Sequence, residues 1–283
     1  MSAKPDAVQL YLDLLKKTLS FALWREPGVP VETFNFRSAL LRKPLVSAVS
    51  AALRSANLQL VKVPSYTEEQ RSHGMIHPLY ADTMIGMPRL DNLQRSLETA
   101  LREGVPGDVI ETGVWRGGAC ILMRAVLAAH GVTDRRVFVA DSFEGLPKPD
   151  ADRYPHDAGD KHYKRSFLAV SREEVEANFA KYGLLDDQVV FLKGWFKDTL
   201  PTAPIERLAV MRLDGDLYQS TIEALTALYP KLSPGGFCII DDYALPMCKQ
   251  AVDDYRSQNG VASPLERIDW SGVFWRKEVS GAR

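Results

Sequence analysis

Residues 108–141, DVIETGVWRGGACILMRAVLAAHGVTDRRVFVAD, decide the fold. DVIET (108–112) and VFVAD (137–141) are short apolar runs without alternation, the pattern of strands covered on both faces. ACILMRAVLAAH (119–130) between them has the length and composition of a helix. Strand, helix and strand in that order make two parallel neighbours joined by a crossover. The first strand runs into the helix through Glu111-Thr112-Gly113-Val114-Trp115-Arg116-Gly117-Gly118. Its glycines allow a sharp turn and close approach to a ligand, and helix-start amides face what binds there. The second glycine of the turn comes four residues after the first, so this is not the dinucleotide pattern GxGxxG. A ligand with a carboxylate and a ribose suits it better than one with a pyrophosphate.

Outward from this unit the alternation continues. SREEVEANFAKYG (171–183) reads as a helix with a capping box of Ser171 and Glu174. VVFL (189–192) and LAVMRLD (208–214) read as strands, TIEALTALYPKL (221–232) as a helix and GFCIIDD (236–242) as a strand. IDWSGVFWRK (268–277) supplies a final strand pair. A mostly parallel sheet with helices on both faces is expected. Upstream, DNLQRSLETALREG (91–104) is a helix with Leu93, Leu97, Ala100 and Leu101 on one face, ending at Gly104. Residues 64–90 are a long irregular connection, a common form for a lid. The first 60 residues hold two helix-period patterns, one through Val8, Leu12, Leu15 and Leu19 and one through Leu45, Val49, Ala52 and Leu53, with Pro44 in a first turn. REPGVPVETFNF (25–36) is the loop between them. These helices suit a partner-binding layer, a substrate cap or packing against the main domain; we divide the chain into an N-terminal helical extension and lid (1–80) and a main domain (81–283).

Composition narrows the function. Lys plus Arg number 35 against 36 Asp plus Glu, with no basic block, which argues against nucleic acid as a partner. The three cysteines form no CxxC pair, and two lie in apolar runs, so buried free thiols in a reducing compartment are expected. MSAKPDAVQLYLDLLKK (1–17) lacks the apolar core of a signal peptide, and no apolar run is long enough to cross a membrane. The expected location is the cytoplasm, with no membrane partner.

In open parallel sheets ligands sit beyond the carboxyl ends of the strands, and the chemistry-bearing residues collect there. Asp141, followed by Ser142 and Phe143, ends the VFVAD strand, where its carboxylate can accept from two ribose hydroxyls. Gly194-Trp195-Phe196 follows VVFL and offers an aromatic face or a backbone amide to an adenine. Asp214 ends one strand and Asp241-Asp242 end another. Adjacent carboxylates repel unless a cation lies between them, and three oxygen donors without His or Cys suit Mg²⁺, Mn²⁺ or Ca²⁺. Asp216, two residues beyond Asp214, reads as solvated. A nucleoside pocket beside a hard-cation site fits methyl transfer from S-adenosylmethionine to a hydroxyl oxygen: the sulfonium is already activated, so alignment and proton removal remain. Asp214 is the candidate base and metal ligand. His162, in the polar insertion PKPDADRYPHDAGDKHYKRS (147–166), is a second candidate base.

The segments YADTMIGMPRLDNLQ, VIETGVWRGGA, VADSFEGLP, LLDDQVVFLKGWFKDTLP, RLDGDLYQST and LSPGGFCIIDDY occur in this order, and the chain from about residue 8 to 256 resembles the macrocin O-methyltransferase (TylF-like) family. The resemblance implies a Rossmann-like class I methyltransferase fold with a seven-stranded sheet. It also implies methylation of sugar hydroxyls of glycosylated natural products, with S-adenosylmethionine and Mg²⁺. By the same resemblance Asp214, Asp241 and Asp242 are metal aspartates and Asp214 the base. Glu111, Gly113 and Ala119 match the cofactor loop, and Asp141 and Ser142 the ribose strand end; Thr112 and Gly117 are cofactor candidates from their place in the same turn. Thr83 and Met84 match a segment that closes over the cofactor, whereas Gly194 and Trp195 are cofactor candidates from their strand-end place alone. A dimer or tetramer built through the N-terminal region is also implied. The rival readings are a catechol-type O-methyltransferase acting on an aromatic diol, a nicotinamide oxidoreductase and a binding module without catalysis. The metal triad does not separate a sugar from a catechol; the missing GxGxxG and the triad oppose the nicotinamide reading, and the intact triad opposes the module.

Overall fold

The computed structural model describes residues 6–31, 42–63 and 65–278. Its helices are α1 (Ala7–Leu19), α2 (Arg42–Ser55), α3 (Glu68–Ser72), α4 (Met87–Arg102), α5 (Gly118–Ala129), α6 (Arg172–Lys181), α7 (Phe196–Thr199), α8 (Tyr218–Leu228) and α9 (Pro246–Gln258). Two-residue strands β1 (Val29–Pro30) and β2 (Val61–Lys62) pair antiparallel near the N-terminus. The main sheet contains β3 (Asp108–Thr112), β4 (Val137–Asp141), β5 (Val189–Lys193), β6 (Leu208–Leu213), β7 (Leu232–Ile240), β8 (Glu266–Arg267) and β9 (Val273–Arg276). Their order is β5-β4-β3-β6-β7-β9-β8. The first five run parallel, and β9 enters antiparallel to β7. The fold is the expected doubly covered class I methyltransferase sheet. The order reverses direction between β3 and β6, which opens a crevice at the carboxyl edge.

The central strands are short because both their faces are buried: every residue of β6 is buried, as is all of β3 after Asp108. On one face Leu93 and Leu97 of α4, Ile121, Leu122, Ala125 and Val126 of α5 and Phe179 of α6 pack against Val109, Val137 and Val139. On the other, Leu225 and Leu228 of α8 and Val252 and Tyr255 of α9 pack against Ile110, Phe138 and Met211. Leu12, Leu15 and Leu19 of α1 join the first layer almost fully buried. Each such side chain contributes about 1.5–3 kcal/mol relative to exposure, so α1 is fastened to the sheet domain. In α2 two positions of the expected stripe lie outside the core: Val49 is 40% exposed and Ala52 is exposed.

Several boundaries differ from the sequence reading. The 64–90 connection contains α3 and the first turn of α4, which starts at Met87 with Pro88 in its first turn. The loop at 25–36 holds β1, and its residues 32–36 lie outside the described residues, as do Pro64, residues 1–5 and residues 279–283. Ser171 caps α6 by accepting from the Glu174 amide at 3.2 Å, the forward half of a capping box. Helix α9 was not anticipated, and the outer strand of the final pair lies at 266–267, before the quoted stretch begins. All three cysteines are free and buried, as expected.

Candidate active site

The strand ends are held together by backbone hydrogen bonds that extend the parallel ladder past the strands. Gly194 N–H donates to Asp141 O, Gly113 N–H to Ala140 O, Asp214 N–H to Thr112 O and Asp241 N–H to Leu213 O, each at 2.9 Å. Five chain segments thus reach the carboxyl edge in fixed register. Gly113 is the tightest point. Its φ is +80°, and a Cβ there would stand 1.7 Å from the Asp214 carbonyl oxygen. Only glycine lets the β3–α5 turn lie against the chain at Asp214. Gly117, the N-cap of α5, has φ +85°, and a Cβ would press on Val175. No side chain caps α5, while its Gly118 amide donates to Asp82 O at 2.9 Å.

These segments border an open cleft. Met84, Gly113, Asp141, Ser142, Gly194, Trp195 and Asp214 line it, together with Trp115, Phe196 and Asp216. The Asp141 carboxylate accepts from the amides of Val114 and Phe143, both at 2.7 Å, so it also braces the two turns beside it. Burial raises its pKa, against the pull of those amides. Other residues singled out in the sequence lie behind the lining. Thr83 is buried, with its hydroxyl facing the Ile85 amide. Ala119 is in the core, and the Thr112 hydroxyl is buried without a protein partner. Glu111 is buried, takes the Arg212 guanidinium on Oε1 and accepts from Cys120 Sγ at 2.8 Å. Burial pushes its pKa up to about 7, although the Arg212 charge pulls it down.

Oxygens of Asp214, Asp241 and Asp242 lie within 4.8 Å of one another, so the carboxylates from two strand ends do converge. Their surroundings differ. Asp241 is paired on Oδ1 by Arg212 and on Oδ2 by Arg89 of α4, and these two guanidiniums outweigh burial to hold its pKa below the usual carboxylate range. Arg212 Nη2 also reaches Asp214 at 2.9 Å, and Arg89 reaches Asp269 at 3.0 Å. Asp242 meets no arginine in these pairs. Burial and the charges of Asp214, Asp216 and Asp241 push its pKa well up. Asp214 is raised by burial and by Asp241, against Arg212. Asp216 is not solvated as expected: it is half-buried in the cleft wall, and burial with the Asp214 charge pushes it up to about 7. An all-oxygen set with uncompensated negative charge on its outer side fits a hard divalent cation. Asp241 keeps further lone pairs for it, because a carboxylate offers about four acceptor sites.

His162 does not line the cleft. It sits in the insertion, donating from Nδ1 to Asp160, and its charge acts on Asp216. Sequence reasoning missed both arginines of the acid cluster. A signal for one was present: an arginine within the buried run LAVMRL needs carboxylate partners.

The sequence profile of the family described as Macrocin-O-methyltransferase (TylF) matches residues 8–277. A relative from Streptomyces olivaceus, 8-demethyl-8-(2,3-dimethoxy-alpha-L-rhamnosyl)-tetracenomycin-C 4'-O-methyltransferase, is 51% identical over 98% of this chain and 96% of its own. The mycinamicin III 3''-O-methyltransferase of Micromonospora griseorubida is 48% identical over 96% of this chain and 98% of its own. Among solved structures, that of the O-methyltransferase NovP superposes with a TM-score of 0.82 at 47% identity, covering 96% of this chain and 100% of that one. The chain therefore belongs to the macrocin O-methyltransferase (TylF) family and is an S-adenosylmethionine-dependent O-methyltransferase.

Proposed function

We propose that the chain methylates a sugar hydroxyl of a glycosylated natural product, assisted by Mg²⁺ at Asp214, Asp241 and Asp242, in antibiotic-type biosynthesis. One observation carries the reading: oxygens of three carboxylates from two strand ends lie within 4.8 Å of one another, and one of the three, Asp214, lines the cleft together with Gly113 and Asp141. The tetracenomycin relative, whose name specifies a 4'-O position of a rhamnosyl compound, supports a sugar as acceptor.

In this reading Gly113, Gly117 and the uncapped start of α5 receive the amino-acid end of the methyl donor. Glu111, Thr112 and Ala119 shape that turn from behind. Asp141 and Ser142 receive the ribose, Gly194 and Trp195 border the adenine, and Thr83 and Met84 close the cleft from the connection. A divalent cation supplies polarisation of the acceptor hydroxyl when bound. Asp214 then takes the hydroxyl proton as the oxygen attacks the methyl carbon, whose bond to sulfur breaks with the electron pair going to sulfur. Arg212 and Arg89 keep Asp241 ionised and fixed, so a cation meets a preformed oxygen site. Residues 1–80 serve as extension and lid and 81–283 as the transfer domain. Leu10 and Leu14, 56% and 55% exposed on the outer side of α1, support a homo-oligomer.

The test is methyl transfer from S-adenosylmethionine to rhamnosylated and macrolide glycosides and to a catechol, read by mass spectrometry with and without EDTA. Methylated glycoside, lost on chelation and restored by Mg²⁺, is expected. Full turnover in EDTA removes the cation; methylation of catechol alone removes the sugar.

A further inference from the structure

Helix α8 starts beside the transfer site and brings two polar side chains to it. Its own N-cap residue, Leu217, supplies no side-chain cap. Asp157 of the insertion between β4 and α6 does so instead, fully buried and accepting from the Tyr218 amide at 2.7 Å and the Gln219 amide at 2.9 Å. A Cβ on Gly215 would stand 2.9 Å from Ser220 Cβ, so the first turn of α8 lies against the chain that follows Asp214. Gln219 and Glu223, four residues apart on one helix face, both line the cleft with Asp214. They are half-buried and joined: Gln219 Nε2 donates to Glu223 Oε1 at 3.0 Å. Tyr154 of the insertion donates its O–H to the same oxygen at 3.3 Å, and its ring meets Tyr218 with centroids 6.1 Å apart. One carboxylate oxygen of Glu223 is thus occupied in fixing the side chain. A carboxylate carries about four acceptor sites, so the other oxygen is left to accept from a ligand, and Gln219 keeps its carbonyl oxygen and a second N–H.

We propose that Gln219 and Glu223 bind the sugar hydroxyls flanking the one that is methylated, and so select which hydroxyl reaches Asp214. The proposal rests on the sugar acceptor argued above. The sheet order keeps the two reactants apart: Gly194, Asp141 and Gly113, assigned to the donor, stand at the ends of β5, β4 and β3, whereas α8 follows β6 across the switch point. The acceptor then lies between Asp214 and the polar face of α8. A sugar ring presents neighbouring hydroxyls of similar size and acidity, and a cation polarises any of them alike. Fixed polar groups do distinguish them: a site built to hydrogen-bond a hydroxyl rejects an acceptor that lacks it, because its own groups are left unpaired. Glu223 is the stronger selector, since an ionised acceptor forms the shorter and stronger hydrogen bond. Tyr154 is a positioning residue that acts on the acceptor through Glu223.

The test uses full-length protein with Mg²⁺, a glycoside that the wild type methylates, and monodeoxy analogues of it at the positions flanking the methylated oxygen. Glu223→Leu is expected to raise the KM of the parent glycoside by roughly 10–100-fold, as for a lost hydrogen bond to a charged group, with kcat changed less. Glu223→Gln restores part of the loss. On the analogue lacking the hydroxyl that Glu223 binds, wild type and Glu223→Leu share one KM. NMR of the product is expected to show a single methylated position with wild type and a mixture with Glu223→Leu. Gln219→Ala gives a smaller rise, and Tyr154→Phe raises KM in the wild-type background but not beside Glu223→Leu. Unchanged S-adenosylhomocysteine affinity shows that each variant is folded, and Glu223→Gln carries the comparison if the leucine variant loses it. An unaltered KM with a single product, or an equal loss on every analogue, overturns the pair and leaves the sugar reading standing. Wild-type transfer to a catechol and to no glycoside overturns both.

Discussion

Asp241 and Asp242 are joined by one peptide bond yet lie in opposite electrostatic regions. On the inner side, Arg89 and Arg212 saturate Asp241 with positive charge. On the outer side, Asp242 faces Asp214 and Asp216 and is pushed well up. In the inner region both carboxylate oxygens of Asp241 meet a guanidinium, which compensates its charge and fixes its position. The outer region is incomplete in charge. Under the proposed reading, the difference is what a cation site needs: one half neutralised by the protein's own arginines and the other left for the ion.

The largest test of this asymmetry is Asp214→Asn on the outer side. It is expected to lower kcat by roughly 10²–10⁴-fold, the range for a lost general base, while S-adenosylhomocysteine still binds. Retained turnover in a methyl-transfer assay would remove Asp214 as base. On the inner side, Arg212→Met strips a guanidinium shared by Glu111, Asp214 and Asp241. Breaking a buried pair from one side costs about 3–5 kcal/mol, to be read by urea unfolding. An unchanged midpoint would mean that the inner region needs no counter-charge.

Next comes pH. Asp216 and Asp242 have raised pKa values, so the folded protein binds more protons than the unfolded chain between the ordinary carboxylate range and those raised values. Stability without cation therefore falls as pH rises through that window, from about 4 to 7 and beyond. In EDTA the melting temperature is expected to decline across it. Mg²⁺ should raise the melting temperature more at pH 8 than at pH 5, by binding the ionised folded form. An equal gain at both pH values would break the comparison. The smallest effect belongs to Ser271, whose hydroxyl donates to the Asp241 carbonyl at 2.7 Å from the inner side. Ser271→Ala is expected to cost about 1 kcal/mol in unfolding, with little change in kcat.

The parallel core was legible because its strands are unbroken apolar runs and its functional residues sit directly after them. What escaped did so for identifiable reasons. Strand β8 is two exposed residues, Glu266 and Arg267, with no alternation to read. Helix α9 carried a readable signal, since Cys248, Ala251, Val252 and Tyr255 are buried at i, i+3, i+4 and i+7. The acid triad could be read from strand-end placement, but not the partition of its charge. That depends on Arg89 reaching Asp241 across 152 residues of sequence, a convergence that no local pattern encodes. Helix α2 forms where its period was read, yet Val49 and Ala52 of its stripe are exposed, because periodicity describes a face and does not name what covers it.

The near-contact of Gly113 with the Asp214 carbonyl separates two tasks that enzymes often entangle. In the proposed reading the distance between donor cradle and proton acceptor is locked into the main chain, whereas Pro147, Lys148 and Asp150 of the polar insertion line part of the cleft beyond it. Exchanging that insertion for another should redirect which molecule is decorated while the reactive spacing stays untouched. Swapping Gly113 for even the smallest chiral residue should instead wedge the scaffold apart at its seam, whatever the acceptor.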